Sequence, residues 1–132
     1  MREPGGLSLL IVEDSAPVRR LIKSVVGELA DVIYECADGA DAFSDYISHR
    51  PDFVLMDIQM KLMDGITATR QIKAADPAAR VIIVTDYDQA DLREAAKEAG
   101  AIGYVVKDNL LDLVSVLKTH GETRTHRPQN GG

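Results

Sequence analysis

The chain has 132 residues, enough for one domain with a single hydrophobic core. It is 45% hydrophobic and 27% charged, ordinary proportions for a globular protein, and its formal net charge is −6. Residues 1–117 hold 12 Lys/Arg against 20 Asp/Glu, and an acidic body of this kind argues against nucleic acid as a direct partner.

From the N-terminus, "SLLIV" (8–12) reads as a short apolar strand. Val18, Leu21, Ile22, Val25, Val26 and Leu29 then recur at the spacing of one buried helix stripe. Ser15 can cap that helix, and Pro17 falls in its first turn. "DVIYEC" (31–36) is a second strand, and Asp38-Gly39 turns the chain. Phe43, Tyr46 and Ile47 mark a helix that ends before Arg50-Pro51. "DFVLM" (52–56) is the third strand. A helix from about Gly65 to Ala75 points Ile66, Thr69 and Ile72 inward and stops near Asp76-Pro77. "RVIIVT" (80–85) is the fourth strand, and Asp88 is placed to cap the next helix, which ends at Ala99-Gly100 with a glycine C-cap. "IGYVV" (102–106) is the fifth strand. Asn109 then caps a last helix with Leu110, Leu113, Val114 and Leu117 on one face.

Short, continuously apolar strands alternating with helices indicate an α/β fold, a parallel sheet covered on both faces. Residues 1–6 form an N-terminal arm and 7–119 the domain. The stretch 120–132 has no apolar periodicity and is expected to be disordered. Cys36 is the sole cysteine, so no internal disulfide forms, and its strand context reads as a small buried hydrophobe. His49, His120 and His126 are scattered, and no Cys/His cluster has metal-site spacing. No apolar run approaches membrane-spanning length, and "MREPGG" lacks the apolar core of a secretory signal. The cytoplasm is the simplest expectation.

Binding sites of open α/β sheets lie beyond the carboxyl ends of the strands. Those ends here are Glu13-Asp14, Asp57, Thr85 and Lys107. They converge if the strand order is 2-1-3-4-5. One aspartate after a strand is usually a turn or a cap residue; four strand ends with compatible chemistry are harder to dismiss. Clustered carboxylates repel and raise one another's pKa unless a hard cation sits among them, and Mg2+ takes oxygen ligands. Asp57 is then placed as a nucleophile toward a phosphoryl donor. Lys107 and the cation screen phosphoryl charge, and the Thr85 hydroxyl supplies a hydrogen bond.

The stretches "LLIVEDSAPVRRLI", "VLMDIQMKLMDG", "VIIVT" and "AGAIGYVVKDNL" together resemble the receiver domain of bacterial two-component response regulators, over about residues 7–119. The resemblance implies a five-stranded, doubly wound, flavodoxin-like sheet with the order 2-1-3-4-5 known for chemotaxis receivers. It implies that Asp57 accepts a phosphoryl group from a histidine kinase or phosphotransfer protein. Glu13 and Asp14 match the acidic pair that holds Mg2+, and Gln59 the position whose backbone carbonyl ligates it. Thr85 and Lys107 match the groups that contact the phosphoryl group, and Tyr104 the aromatic that changes rotamer with Thr85. Such a protein is not an enzyme toward other substrates; it catalyses only its own phosphorylation and dephosphorylation, and switches a surface read by a downstream protein. The family often has proline where Lys61 stands and a small residue where Asp86 stands. The "KDNL" ending is similar to receivers with helix-turn-helix outputs, yet no output domain is expected after residue 119. That leaves a regulator that acts by docking, or a fragment of a longer one.

Three other functions compete with this reading. A haloacid-dehalogenase-type phosphatase needs an aspartate two residues after the nucleophile, where this chain has Gln59. A flavodoxin-type flavin module wants a hydroxyl- and glycine-rich loop after the first strand, where "VEDSAPVRR" places two carboxylates that would repel phosphate. A degenerate receiver, acting only as a docking surface, does not need the intact Asp57, Thr85 and Lys107.

Overall fold

The computed structural model describes residues 6–125, with side chains to residue 121. Five strands, β1 (Leu7–Val12), β2 (Ala30–Cys36), β3 (Phe53–Met56), β4 (Val81–Thr85) and β5 (Gly103–Val106), form one parallel sheet in the order β2-β1-β3-β4-β5. Helices α1 (Ala16–Val26), α2 (Gly39–His49), α3 (Gly65–Ala75), α4 (Ala90–Ala99) and α5 (Leu111–Thr125) alternate with them, and a 3-10 turn over Lys107–Asn109 precedes α5.

The apolar strands are continuous because both faces are covered. Successive side chains alternate between faces. Leu9, Ile11, Phe53, Leu55, Ile82 and Val84 pack with Ile22 and Val26 of α1 and with Leu113 and Leu117 of α5. Leu10, Val12, Val54, Met56, Val81 and Ile83 pack instead with Tyr46 of α2, Ile72 of α3 and Ala96 of α4. β2 lies at the edge and is only half-buried.

Three helix-end features follow the sequence. Ser15 accepts from the Val18 N–H, Pro17 lies in the first turn of α1, and Gly100 ends α4 at φ 106°, in the left-handed region. Two do not. Asp88 caps nothing: Gln89 stands at the start of α4, and Asp88 pairs with Arg93. Asn109 is absorbed into the 3-10 turn, and its amide donates to the Asp112 carboxylate rather than accepting from the backbone.

Two stripes are narrower than their spacing suggested. Leu21 is 53% exposed because it stands about 100° around α1 from buried Ile22, outside the contact with sheet and α5. Phe43 and Ile47 are also exposed; the inner face of α2 is Gly39, Ala42 and Tyr46. The expected end of structure near Thr119 also shifts. The backbone is helical to Thr125, since a nucleated helix propagates without apolar periodicity, and the Arg80 guanidinium donates to the His120 carbonyl at 2.8 Å. The expectations for 1–5 and 126–132 lie outside the described residues.

Candidate functional site

Strand register decides which side chains emerge together. Val12 of β1 pairs with Met56 of β3, and Thr85 of β4 with Val106 of β5. Glu13 and Asp57 therefore leave adjacent strands at one level, tied by the Asp57 N–H donating to the Val12 carbonyl at 3.0 Å. Lys107 leaves β5 one residue beyond the partner of Thr85.

The carboxylates of Glu13, Asp14 and Asp57 offer oxygens within 4.8 Å of one another. Asp14 is exposed, while Glu13 and Asp57 are buried. The Lys107 ammonium lies 2.7 Å from Glu13 Oε1 and 3.5 Å from Asp57 Oδ1. Oε1 of Glu13 is buried and faces the Lys107 ammonium at 2.7 Å as its close charged partner. The other Glu13 oxygen accepts from the Ser15 N–H at 3.0 Å. Burial, and after it the charge of Glu13, push the Asp57 carboxyl up to about 6, against the opposing pull of Lys107 and the Ile58 N–H. Burial alone would lower the Lys107 pKa, but Glu13 and Asp57 outweigh it and raise it.

This donor set suits a hard divalent cation. All its atoms are carboxylate oxygens, they lie within 4.8 Å of one another, and two of the three residues are buried with only one ammonium to offset them. Mg2+ fits, with Glu13, Asp14 and Asp57 as the residues that would hold it. Gln59 lies in the β3–α3 loop two residues beyond Asp57, and its side-chain oxygen accepts from the Tyr87 hydroxyl. Thr85 is fully buried at the end of β4, with its hydroxyl oxygen 3.4 Å from the Tyr87 N–H. Tyr104 is half-buried and its hydroxyl donates to the Tyr87 carbonyl at 2.7 Å. Glu13, Asp14, Asp57 and Lys107 thus form one contiguous cluster, while Thr85, Tyr104 and Gln59 meet around Tyr87 beside it.

Sequence reading missed the supports. The Arg19 guanidinium donates to the Glu13 carbonyl at 2.6 Å and to Glu35, fastening α1 to the acidic loop. Asp38, taken as a turn residue, accepts from the N–H groups of Ala40, Leu62 and Met63. Burial pushes its carboxyl up, but these amides outweigh that and hold it below the usual range. Asp38 thereby anchors the loop in which Lys61 replaces proline. The neighbouring Gly39 permits this approach, since a Cβ there would lie 2.4 Å from the Met63 carbonyl oxygen. Only the Asp-Gly pair after β2 was visible beforehand; its long-range partner was not. Among the described residues, no helix is long and apolar enough to cross a membrane.

The model of the response regulator receiver domain family matches residues 9–118. The chemotaxis protein CheY of Halobacterium salinarum is 35% identical over 115 residues, which cover 84% of this chain and 96% of that one. CheY of Bacillus subtilis is 40% identical over 107 residues, 80% of this chain and 89% of the relative. Among solved structures, a LuxR-family two-component response regulator from an Aurantimonas species superposes with a TM-score of 0.84 at 31% identity, over 89% of this chain and 86% of that one. The CheX-CheY-BeF3-Mg+2 complex from Borrelia burgdorferi gives 0.76 at 33% identity, over 86% and 88% of the two chains. Parallel strands in the order found here, a carboxylate cluster at their carboxyl ends and these matches agree: the chain belongs to the response regulator receiver domain family.

Proposed function

We propose that the chain is a phosphorylation-controlled signalling receiver whose phosphoacceptor is Asp57. The observation that carries this reading is the placement of one buried carboxylate beside Glu13 and the Lys107 ammonium, 3.5 Å from the latter. An Asp57 oxygen attacks the phosphorus of a phosphohistidine on a sensor kinase or phosphotransfer protein. The new O–P bond forms as the P–N bond breaks, and the imidazole departs with a proton from solvent. Lys107, already paired with Asp57, neutralises charge that arrives on the phosphoryl oxygens. The Thr85 hydroxyl donates a hydrogen bond to them. Glu13, Asp14 and Asp57, with the Gln59 backbone carbonyl that the resemblance implies, would hold Mg2+, which would supply electrostatic neutralisation of the phosphoryl group. Hydrolysis of the acyl phosphate returns the carboxylate, so the chain acts only on itself.

The readout is a change of surface. Drawing Thr85 toward the phosphoryl group gives Tyr104 room to turn inward, which alters the face formed by α4, β5 and α5. A downstream protein reads that face; the acidic body favours a protein over nucleic acid. The Borrelia CheY relative, crystallised with CheX, illustrates such a pairing. A cytoplasmic location follows from a kinase-driven role.

The test is incubation with a small acyl phosphate and Mg2+, followed by intact-mass and peptide mapping. One phosphoryl group is expected on Asp57, and none in Asp57→Asn, whose amide is not a usable nucleophile. Undiminished labelling of the variant would overturn the assignment.

A further inference from the structure

The loop from β3 to α3, residues 57–64, begins with Asp57, and its course is fixed from another part of the fold. Its neck is closed by the Gly65 N–H, which donates to the Ile58 carbonyl at 2.8 Å. Its far end is set by Asp64, which caps α3 by accepting from the Thr67 N–H at 2.8 Å. Between those points burial gives little hold. Gln59, Lys61 and Leu62 are exposed, Leu62 at 80%, and only Met60 and Met63 pack in part on the core. Methionine side chains are adaptable and fix a backbone weakly. The firm tie comes from Asp38, buried after β2 at the start of α2. One of its oxygens accepts from the Leu62 N–H at 3.0 Å. The other accepts from the N–H groups of Met63 at 3.1 Å and Ala40 at 2.9 Å. Next to it, Gly39 brings the α2 backbone against the same loop. A Cβ there would lie 2.4 Å from the Met63 carbonyl oxygen and 3.3 Å from that of Asp64.

This tie is charge-assisted, and so stronger than hydrogen bonds between neutral groups. Burial disfavours an ionised Asp38, yet the N–H groups of Ala40, Leu62, Met63 and Lys61 hold its carboxyl below the usual range. The Lys61 N–H is a donor that proline at that position could not supply. Here hydrogen bonds to one carboxylate hold a span that proline would stiffen by its fixed φ.

Gln59 is the first residue past the neck, so the direction of its carbonyl follows the loop rather than the strand. Mg2+ demands near-octahedral geometry at short distances, whereas Ca2+ tolerates longer and more variable ones. We propose that Asp38 is a positioning residue for the cation site. By fixing Leu62 and Met63 against the start of α2, it sets the backbone at Gln59 that completes the group Glu13, Asp14 and Asp57. This rests on the reading of that group as a Mg2+ site. Asp38 is not one of the carboxylates gathered there and acts through the loop alone.

The experiment titrates the full chain with Mg2+ and, separately, with Ca2+, following the amide chemical shifts of residues 57–65. Wild type is compared with Asp38→Ser and Gly39→Ala. Serine still caps α2, but its one short hydroxyl cannot also serve Leu62 and Met63. Alanine suits a helix and alters no charge, but its Cβ pushes the loop away. Each variant is expected to bind Mg2+ about tenfold more weakly, the factor for one lost charge-assisted hydrogen bond, with a smaller loss for Ca2+. Equal loss of both cations in Asp38→Ser, with none in Gly39→Ala, would mark a bare charge effect and overturn the positioning role. Wild-type Mg2+ affinity in both variants, with only the melting temperature in chelator lowered, would mark a merely structural tie and overturn it too. If wild type itself binds no Mg2+, the cation site falls and the role of Asp38 falls with it. Binding in wild type with unaltered variants removes the role of Asp38 alone.

Discussion

Neutralising Asp57 is expected to stabilise the cation-free protein by an amount that depends on pH. Its carboxyl sits at about 6 rather than 3.8 because the site is desolvated and Glu13 is near, with Lys107 compensating only in part. The folded state therefore holds its proton more tightly than the unfolded chain. Between about pH 4 and about pH 6 the folded protein keeps a proton that the unfolded chain has released, so stability falls as pH rises through that window. Above it, the ionised side chain costs the fold on the order of 3 kcal/mol, the equivalent of moving from 3.8 to about 6. Below about pH 4 both states are protonated and the cost is gone. Asp57→Asn mimics the protonated side chain at every pH. Urea denaturation in the presence of a chelator, from about pH 4 to about pH 8, should find the variant more stable by about 3 kcal/mol at the upper end. The advantage should shrink toward zero at the lower end. Carboxylates remote from the site titrate in both proteins and cancel; those in contact with Asp57 respond to the same charge that the substitution removes. Equal stabilities at high pH, or an advantage that ignores pH, would refute the claim that burial and Glu13 act on the charge of Asp57.

Mg2+ should raise the melting temperature by relieving this repulsion, and a hundredfold excess over its dissociation constant corresponds to about 2.7 kcal/mol. Asp14→Asn should weaken that rise in a thermal-shift titration while stabilising the cation-free fold; a wild type indifferent to Mg2+ would count against the site. Gly65→Ala should slow Asp57 labelling by more than about tenfold and lower the melting temperature, because a Cβ would stand 1.8 Å from the Asp57 carbonyl oxygen and must displace that backbone. Labelling at the wild-type rate would show that the backbone there can move at no cost.

The fold was legible because both periodicities were strong. Strands such as Val81–Thr85, buried at every residue, admit no polar face, which already implied helices on both sides. The cluster was legible because the strands are short and each ends where a charge begins. What escaped was long-range partnership. Ala42 rather than Phe43 faces the sheet on α2, and a small residue leaves no mark in an apolar stripe. Asp88 looked like a cap because Asp commonly caps, but Arg93 five residues on offered a charge partner. Asp38 bonds amides 24 and 25 residues away, and no local pattern announces such a contact. Tyr87 gave no signal either, for its two partners come from a different loop and a different strand.

The site also explains why Lys107 should be held where it is. Glu13 and Asp57 are buried side by side, which would strongly destabilise the fold if nothing cationic faced them. The Lys107 ammonium touches both, at 2.7 and 3.5 Å, and acts as an internal counter-ion. A divalent cation held by Glu13, Asp14 and Asp57 would compete with Lys107 for Glu13, and under the proposed function an arriving phosphoryl group would offer the ammonium a further anion. The parallel register makes this exchange possible, because Val12 pairs with Met56 and Thr85 with Val106. A one-residue slip between β1 and β3 would turn every side chain of one strand to its other face and separate Glu13 from Asp57. Pairing of the apolar strand residues therefore sets the charge geometry, and core packing on both faces holds that pairing against the repulsion it creates.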